Sequence, residues 1–161
     1  MGVSANGLWK LRARLGYGLA RWLVRFPALV RQPRLWAWME GQYARMAKLG
    51  DVRAQSFYGH VLLFRGQGLA ARNEGRRLLQ LAAEAGDGKA AYQVGLLCLQ
   101  ETPQQAADAG MAAHWWCLAA AAGHPLAAHK LAALYRDGGP GLAADAVAAR
   151  QMEQRAAELG L

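Results

Sequence analysis

The chain has 161 residues, 54% of them apolar and 19% charged, with a net charge of +8 and a pI of about 10.1. That length fits one ordinary domain with a buried core. Residues 1–49 hold nine Lys and Arg against the single acid Glu40, while residues 50–161 hold ten of each sign. The basic character therefore belongs to an N-terminal arm and points to contact with an anionic surface. Two cysteines, Cys98 and Cys117, are too few for a disulfide framework or a cysteine-rich zinc site and fit a reducing, cytoplasmic compartment.

The first predicted element is a helix over residues 8–30. Leu8, Leu11, Leu15, Leu19, Trp22, Phe26 and Leu29 share one face; Lys10, Arg14, Arg21 and Arg25 lie opposite, with Arg12 near the edge. A basic amphipathic helix suits a membrane surface, where each basic side chain adds about 1 kcal/mol with anionic lipid. Trp9, Trp22, Trp36 and Trp38 suit such an interface, and the candidate contacts are Lys10, Arg14, Arg21, Trp22 and Arg25. The same stretch also fits a terminal cap, since a repeat array must cover its first unit. Segment 18–49 would then be a degenerate unit turning at Gln32-Pro33-Arg34, with Trp22, Phe26, Ala47 and Gly50 in the places of Tyr58, Leu62, Ala83 and Gly86. No uncharged apolar run approaches a membrane span. Arg21 and Arg25 interrupt any signal-peptide core, although the Arg-rich, acid-poor arm also fits a transit peptide.

Beyond the arm the sequence repeats. Glycine follows an alanine pair at Ala82-Ala83/Gly86, Ala119-Ala120/Gly123 and Ala156-Ala157/Gly160, and follows Met46-Ala47 at Gly50. Ala54, Ala90 and Ala127 keep the same register, as do Tyr58, Val94 and Leu131; Gly59, Gly95 and Ala132; and Leu62, Cys98 and Tyr135. A period of that size signals stacked helix pairs. Three- and four-residue apolar spacing predicts first helices at about 54–65, 90–100 and 126–136, and second helices at about 73–85, 109–122 and 145–159. The units are about 50–85, 86–122 and 123–160. The glycines that close them are natural left-handed helix stops.

These residues resemble the Sel-one-like repeat, a relative of the tetratricopeptide repeat. The resemblance covers about residues 35–161 and is strongest in repeat three, through Ala127, Leu131, Tyr135, Gly139-Pro140-Gly141-Leu142, Asp145, Ala149, Ala156-Ala157 and Gly160. Repeat two supplies Trp115-Trp116 but has Thr102-Pro103-Gln104-Gln105 at the turn; repeat one has Gly66-Gln67-Gly68-Leu69 but Arg72 in place of Asp. The resemblance implies an all-α solenoid of antiparallel helix pairs over residues 35–161, to which the basic amphipathic arm, residues 1–34, adds an N-terminal helical cap. It also implies a non-catalytic adaptor for a protein or peptide partner, a role many bacterial members fill. The family's cysteine staple is not carried over.

The candidates for chemistry have structural explanations. Asp108 and Asp145 start second helices, where a carboxylate caps free N–H groups, and Asn73 stands in the same place in repeat one. His60, His114, His124 and His129 form no metal motif and fit surface or turn positions. Cys117, beside Trp115 and Trp116, is expected to be buried; neither Ser4 nor Ser56 lies in GxSxG. The turn Gly138-Gly139-Pro140-Gly141 has the glycines of a phosphate cradle, but no lysine follows and Asp145 would repel the anion. No cofactor or metal is implied. Tyr58, Tyr92, Tyr135, Trp115 and Trp116 are the candidate partner contacts, with one tryptophan of the pair in the core and the other on a groove. Nucleic acid ranks last, because no reading motif accompanies the basic arm.

Overall fold

The computed structural model describes residues 5–102 and 105–161, with the side chains of residues 5–8 and Leu29 left aside. Ser4, Pro103, Gln104 and the side chains of Leu8 and Leu29 thus lie outside the described residues. The helices are α1 (Ala5–Leu23), α2 (Pro27–Val30), α3 (Pro33–Lys48), α4 (Val52–Arg65), α5 (Gly68–Glu84), α6 (Gly88–Cys98), α7 (Ala109–Ala121), α8 (Pro125–Asp137) and α9 (Ala146–Glu158). The chain divides into two compact parts, Met1–Gly75 and Arg76–Leu161, the boundary falling inside α5.

The alanine-glycine signal is a stop and a start within a few residues. Gly50, Gly86, Gly123 and Gly160 all have φ between 83° and 96°, the left-handed region. Asp51, Asp87, His124 and Leu161 then donate their N–H groups back to the carbonyls of Met46, Ala82, Ala119 and Ala156. This is the Schellman closure, which satisfies carbonyls left free at a helix end. The residue after the glycine also opens the next helix. Asp51 Oδ1 accepts from Ala54 N at 2.8 Å, Asp87 Oδ1 from Ala90 N at 2.8 Å, and His124 Nδ1 from Ala127 N at 3.3 Å. First helices therefore begin two residues or so before the first apolar position, because their caps lie there.

In the C-terminal part α6 packs on α7, α7 on α8, and α8 on α9. Its core is alanine-rich: Ala90, Ala109, Ala112, Ala119, Ala127 and Ala128 are fully buried, together with Leu79, Val94, Leu131 and Trp116. Small side chains let the helix axes approach, and each larger residue fills a gap between them. The turns inside repeats two and three share one geometry. Thr102 and Gln105 exchange backbone hydrogen bonds, as do Gly139 and Leu142. Asp108 N then bonds Cys98 O, and Asp145 N bonds Tyr135 O. Repeat two has no glycine between Thr102 and Gln105, whereas in repeat three Gly138 and Gly141 take φ of 70° and 77°. Pro140 O accepts from Ala109 N at 2.7 Å, so this turn caps α7 and does not present a ring of free N–H groups to an anion.

In the N-terminal part α1 and α2 pack on α3, and α3 packs on α4. Three expectations fail here. The helix predicted over 8–30 stops at Leu23, since Pro27 has no N–H to give and disfavours helical geometry in Phe26. The backward extension of the repeat also fails at its aromatic columns: Trp22 and Phe26 are exposed and pack on each other at 4.8 Å, whereas Tyr17 is buried. α1 shares its compact part with α3 and α4. In repeat one, α5 begins at Gly68, directly after the Gly66-Gln67 link, so Asn73 lies within the helix and is not its cap.

Candidate interaction surface

The N-terminal helix α1 has three sectors. Ala13, Tyr17 and Ala20 are buried. Tyr17 meets Tyr43 of α3 edge-on at 5.2 Å, and Tyr43 stacks on Phe57 of α4 at 4.1 Å. The Tyr17 hydroxyl donates to Asp51 Oδ1 at 2.9 Å, the same oxygen that caps α4. Burial, then the hydrogen bond to Asp51 and its charge, push the Tyr17 phenol well above its ordinary range. This face joins the helix to the rest of the N-terminal part.

The other two sectors are open. Leu11, Leu15, Leu19 and Trp22 form the apolar stripe, and Leu15 at its centre is 68% exposed. Leu15 lies two residues from Ala13, roughly 200° around the axis at about 100° per residue, so the stripe is centred opposite the buried face. Lys10, Arg14 and Arg21 are exposed along one flank, and Arg12 along the other. Arg21 also reaches over the Tyr17 ring, 5.8 Å from its centroid. A groove of about 1000 Å³ runs beside the stripe, lined by Trp9, Arg12, Leu15, Leu19, Trp38 and Arg45 among others. At the groove Gln42 is buried, and with its amide oriented to suit both neighbours it accepts from Trp38 Nε1 at 3.2 Å and Arg45 Nη2 at 2.7 Å.

Of the predicted partner contacts, Tyr58 is half-buried in the N-terminal part, and burial followed by Glu40 and Glu74 raises its phenol pKa. Tyr92 and Tyr135 are half-buried in the C-terminal part. Tyr92 stacks on His124 at 4.6 Å, and the Tyr135 hydroxyl lies 3.7 Å from Cys117 Sγ. Burial first, then the hydrogen bond to Cys117, push the Tyr135 phenol up to about 12. The tryptophan pair does not divide between core and groove. Trp115 is 6% exposed and Trp116 2%, because α7 has a neighbour on each side, α6 and α8. Trp116 Nε1 donates to Tyr92 O at 3.1 Å, while Trp115 Nε1 is buried with no hydrogen-bond partner among the described residues. Cys117, expected inside, is exposed; Cys98 is the buried thiol, with its pKa raised by burial.

The titratable groups singled out for chemistry serve the backbone. Asp108 Oδ1 accepts from Met111 N at 2.8 Å, and Asp145 Oδ1 from Val147 N and Ala148 N at 2.9 and 3.0 Å. Asp51, Asp87 and His124 do the same for first helices, a role that could be read from the residue following each repeat glycine. Among the described residues no three His, Cys, Asp or Glu side chains converge as a metal site.

No protein-family model and no curated protein matches the chain. Solved structures do. The crystal structure of a Sel1 repeat protein from Oxalobacter formigenes is 32% identical, over 74% of this chain and 88% of that one, with a TM-score of 0.62. The chain belongs to the Sel1 repeat family. A protective antigen present in uropathogenic Escherichia coli strains, which displays an SLR fold, is 23% identical and shares the fold with a TM-score of 0.75. The match covers 92% of this chain and 31% of that larger protein. The fold is accordingly the all-α solenoid of Sel1 repeats, and the helix-stop glycines, caps and turns above are its local determinants.

Proposed function

We propose that this Sel1 repeat protein is a non-catalytic, cytoplasmic scaffold that binds a protein or peptide partner on its helix-pair surface. The observation that carries this reading is the employment of Asp51, Asp87, Asp108, Asp145 and His124 as helix caps. An active site needs converging titratable groups free to meet a substrate, and these are engaged with backbone N–H groups. Exposed apolar side chains on the C-terminal part, Met111, Leu118 and Leu126, offer contact area, with Tyr92 and Tyr135 half-buried on the same part. The test is a photo-crosslinking side chain placed in turn at Met111, Leu118 and Leu126 of the full chain in cells. A single recurrent protein adduct is expected at one or more of these sites; diffuse labelling at all three would count against the scaffold reading.

A second reading, peripheral attachment to a membrane through the N-terminal helix, is favoured by the exposure of Leu11, Leu15, Leu19 and Trp22 on α1. It is compatible with the first, because those residues lie on a different compact part. No helix among the described residues is long and apolar enough to cross a membrane, so this attachment is one that lies on the surface.

A further inference from the structure

We infer that α1 lies side-on against an anionic phospholipid surface through its outward stripe while it stays packed on α3. This rests on the membrane-attachment reading and names the face, the lipid chemistry and the state of the helix.

The packed and open faces are nearly opposite, so both can be occupied at once. Ala13, Tyr17 and Ala20 fill one, held by the Tyr17–Asp51 hydrogen bond at 2.9 Å. Leu11, Leu15 and Leu19 form the other, with exposures of 56%, 68% and 50%. The greatest exposure falls at the centre of the stripe.

Charge selects the lipid. All nine basic residues in 1–49 are exposed and Glu40 is the one acid among them. Lys10, Arg14 and Arg21 run along one flank of the stripe and Arg12 along the other. From those positions their stems follow the apolar face while their charged ends reach the phosphate level. Trp9 and Trp22 are both exposed, and a helix lying in the interface holds them at the level that indole rings prefer. A neutral bilayer would satisfy the leucines and leave the arginine rows without partners.

The experiment is co-sedimentation of the full chain with phosphatidylcholine vesicles, with and without phosphatidylserine. Retention is expected on the serine-containing vesicles, falling as salt rises. The double variant Leu15→Glu/Leu19→Glu should lose roughly tenfold or more of that retention, since two leucines leave the lipid. Both positions are exposed, so helical circular dichroism should be unchanged. Val147→Glu, at an exposed apolar position of α9, should bind as the wild type does. Tyr17→Phe, which loosens α1 from Asp51, should stay within about twofold. Equal retention of the Leu15/Leu19 variant would overturn the assigned face while leaving attachment intact. Roughly tenfold tighter retention of Tyr17→Phe would mean that α1 must leave α3 to bind, and would overturn the docked state. A folded wild type that stays in the supernatant with both vesicle types would refute attachment itself and leave the stripe to a protein partner.

Discussion

Gly95 offers a test in which the sign of the effect is at stake. It lies inside α6, where replacing glycine by alanine ordinarily gains about 0.5–1 kcal/mol by restricting the unfolded chain. Here the Trp116 indole rests against the place a Cβ would occupy. That indole is buried and donates from Nε1 to Tyr92 O at 3.1 Å. An added methyl must displace the ring, at about 1–3 kcal/mol for overpacking, and strains a buried hydrogen bond whose loss adds about 1 kcal/mol or more. The net expectation for Gly95→Ala is a destabilisation of about 1–3 kcal/mol. Gly18 supplies the contrast. It sits within α1, and a Cβ there would meet nothing within 4 Å, so Gly18→Ala should stabilise by about 0.5–1 kcal/mol. Urea titration followed by far-ultraviolet circular dichroism reads both as midpoint shifts at constant slope. The same rule accounts for Ala132 in the corresponding place of repeat three. Thirty-seven residues after Trp116 stands Glu153, which is exposed, and no indole competes for the space. A stabilised Gly95→Ala would refute the packing argument. So would strict additivity of Gly95→Ala with Trp116→Phe, since contacting residues should couple by roughly 0.5 kcal/mol or more.

The helix-stop glycines and the caps make further claims. Gly86→Ala puts a side chain at φ 91° and should cost about 1–2 kcal/mol in the same titration. Asp145→Ala, which frees the N–H groups of Val147 and Ala148, should cost about 0.5–2 kcal/mol, and Asp145→Asn only a few tenths of that. His124 caps α8 through Nδ1 in its neutral form, and burial, then Lys89, lower its pKa from the ordinary 6.5. Its contribution is therefore complete above pH 6.5 and is lost as pH falls through the folded-state value; His124→Asp, matching Asp51 and Asp87, should flatten stability across that window, and an unchanged slope would count against the cap. Under native conditions a thiol reagent should modify exposed Cys117 well before buried Cys98, with mass spectrometry of the peptides as the readout.

The repeat was legible because its signals act locally. A glycine that must take a left-handed φ and an aspartate that must accept an N–H three residues on leave little choice of residue, so Gly86-Asp87 and Gly50-Asp51 can be read without knowing what packs where. The internal turn was readable too, once Thr102–Gln105 and Gly139–Leu142 were seen in one register. Periodicity misled where burial depended on neighbours. Trp115 and Trp116 are about 100° apart, which splits a helix with one neighbour into inside and outside, but α7 has α6 and α8 on two sides and buries both. Cys117, one step further round, is the residue left outside.

The N-terminal helix reverses the usual inference altogether. Its leucines announce the amphipathic pattern, yet its contact with α3 is made by Ala13, Tyr17 and Ala20. Small residues permit close approach, and the Tyr17 hydroxyl finds its acceptor in Asp51, 34 positions along the chain, which no local pattern can reveal. With the alanine-tyrosine face turned to α3, the leucine face is left exposed. An apolar stripe flanked by arginines is costly to display without purpose, and its position opposite the packed face makes it available to a surface outside the protein without disturbing the fold beneath.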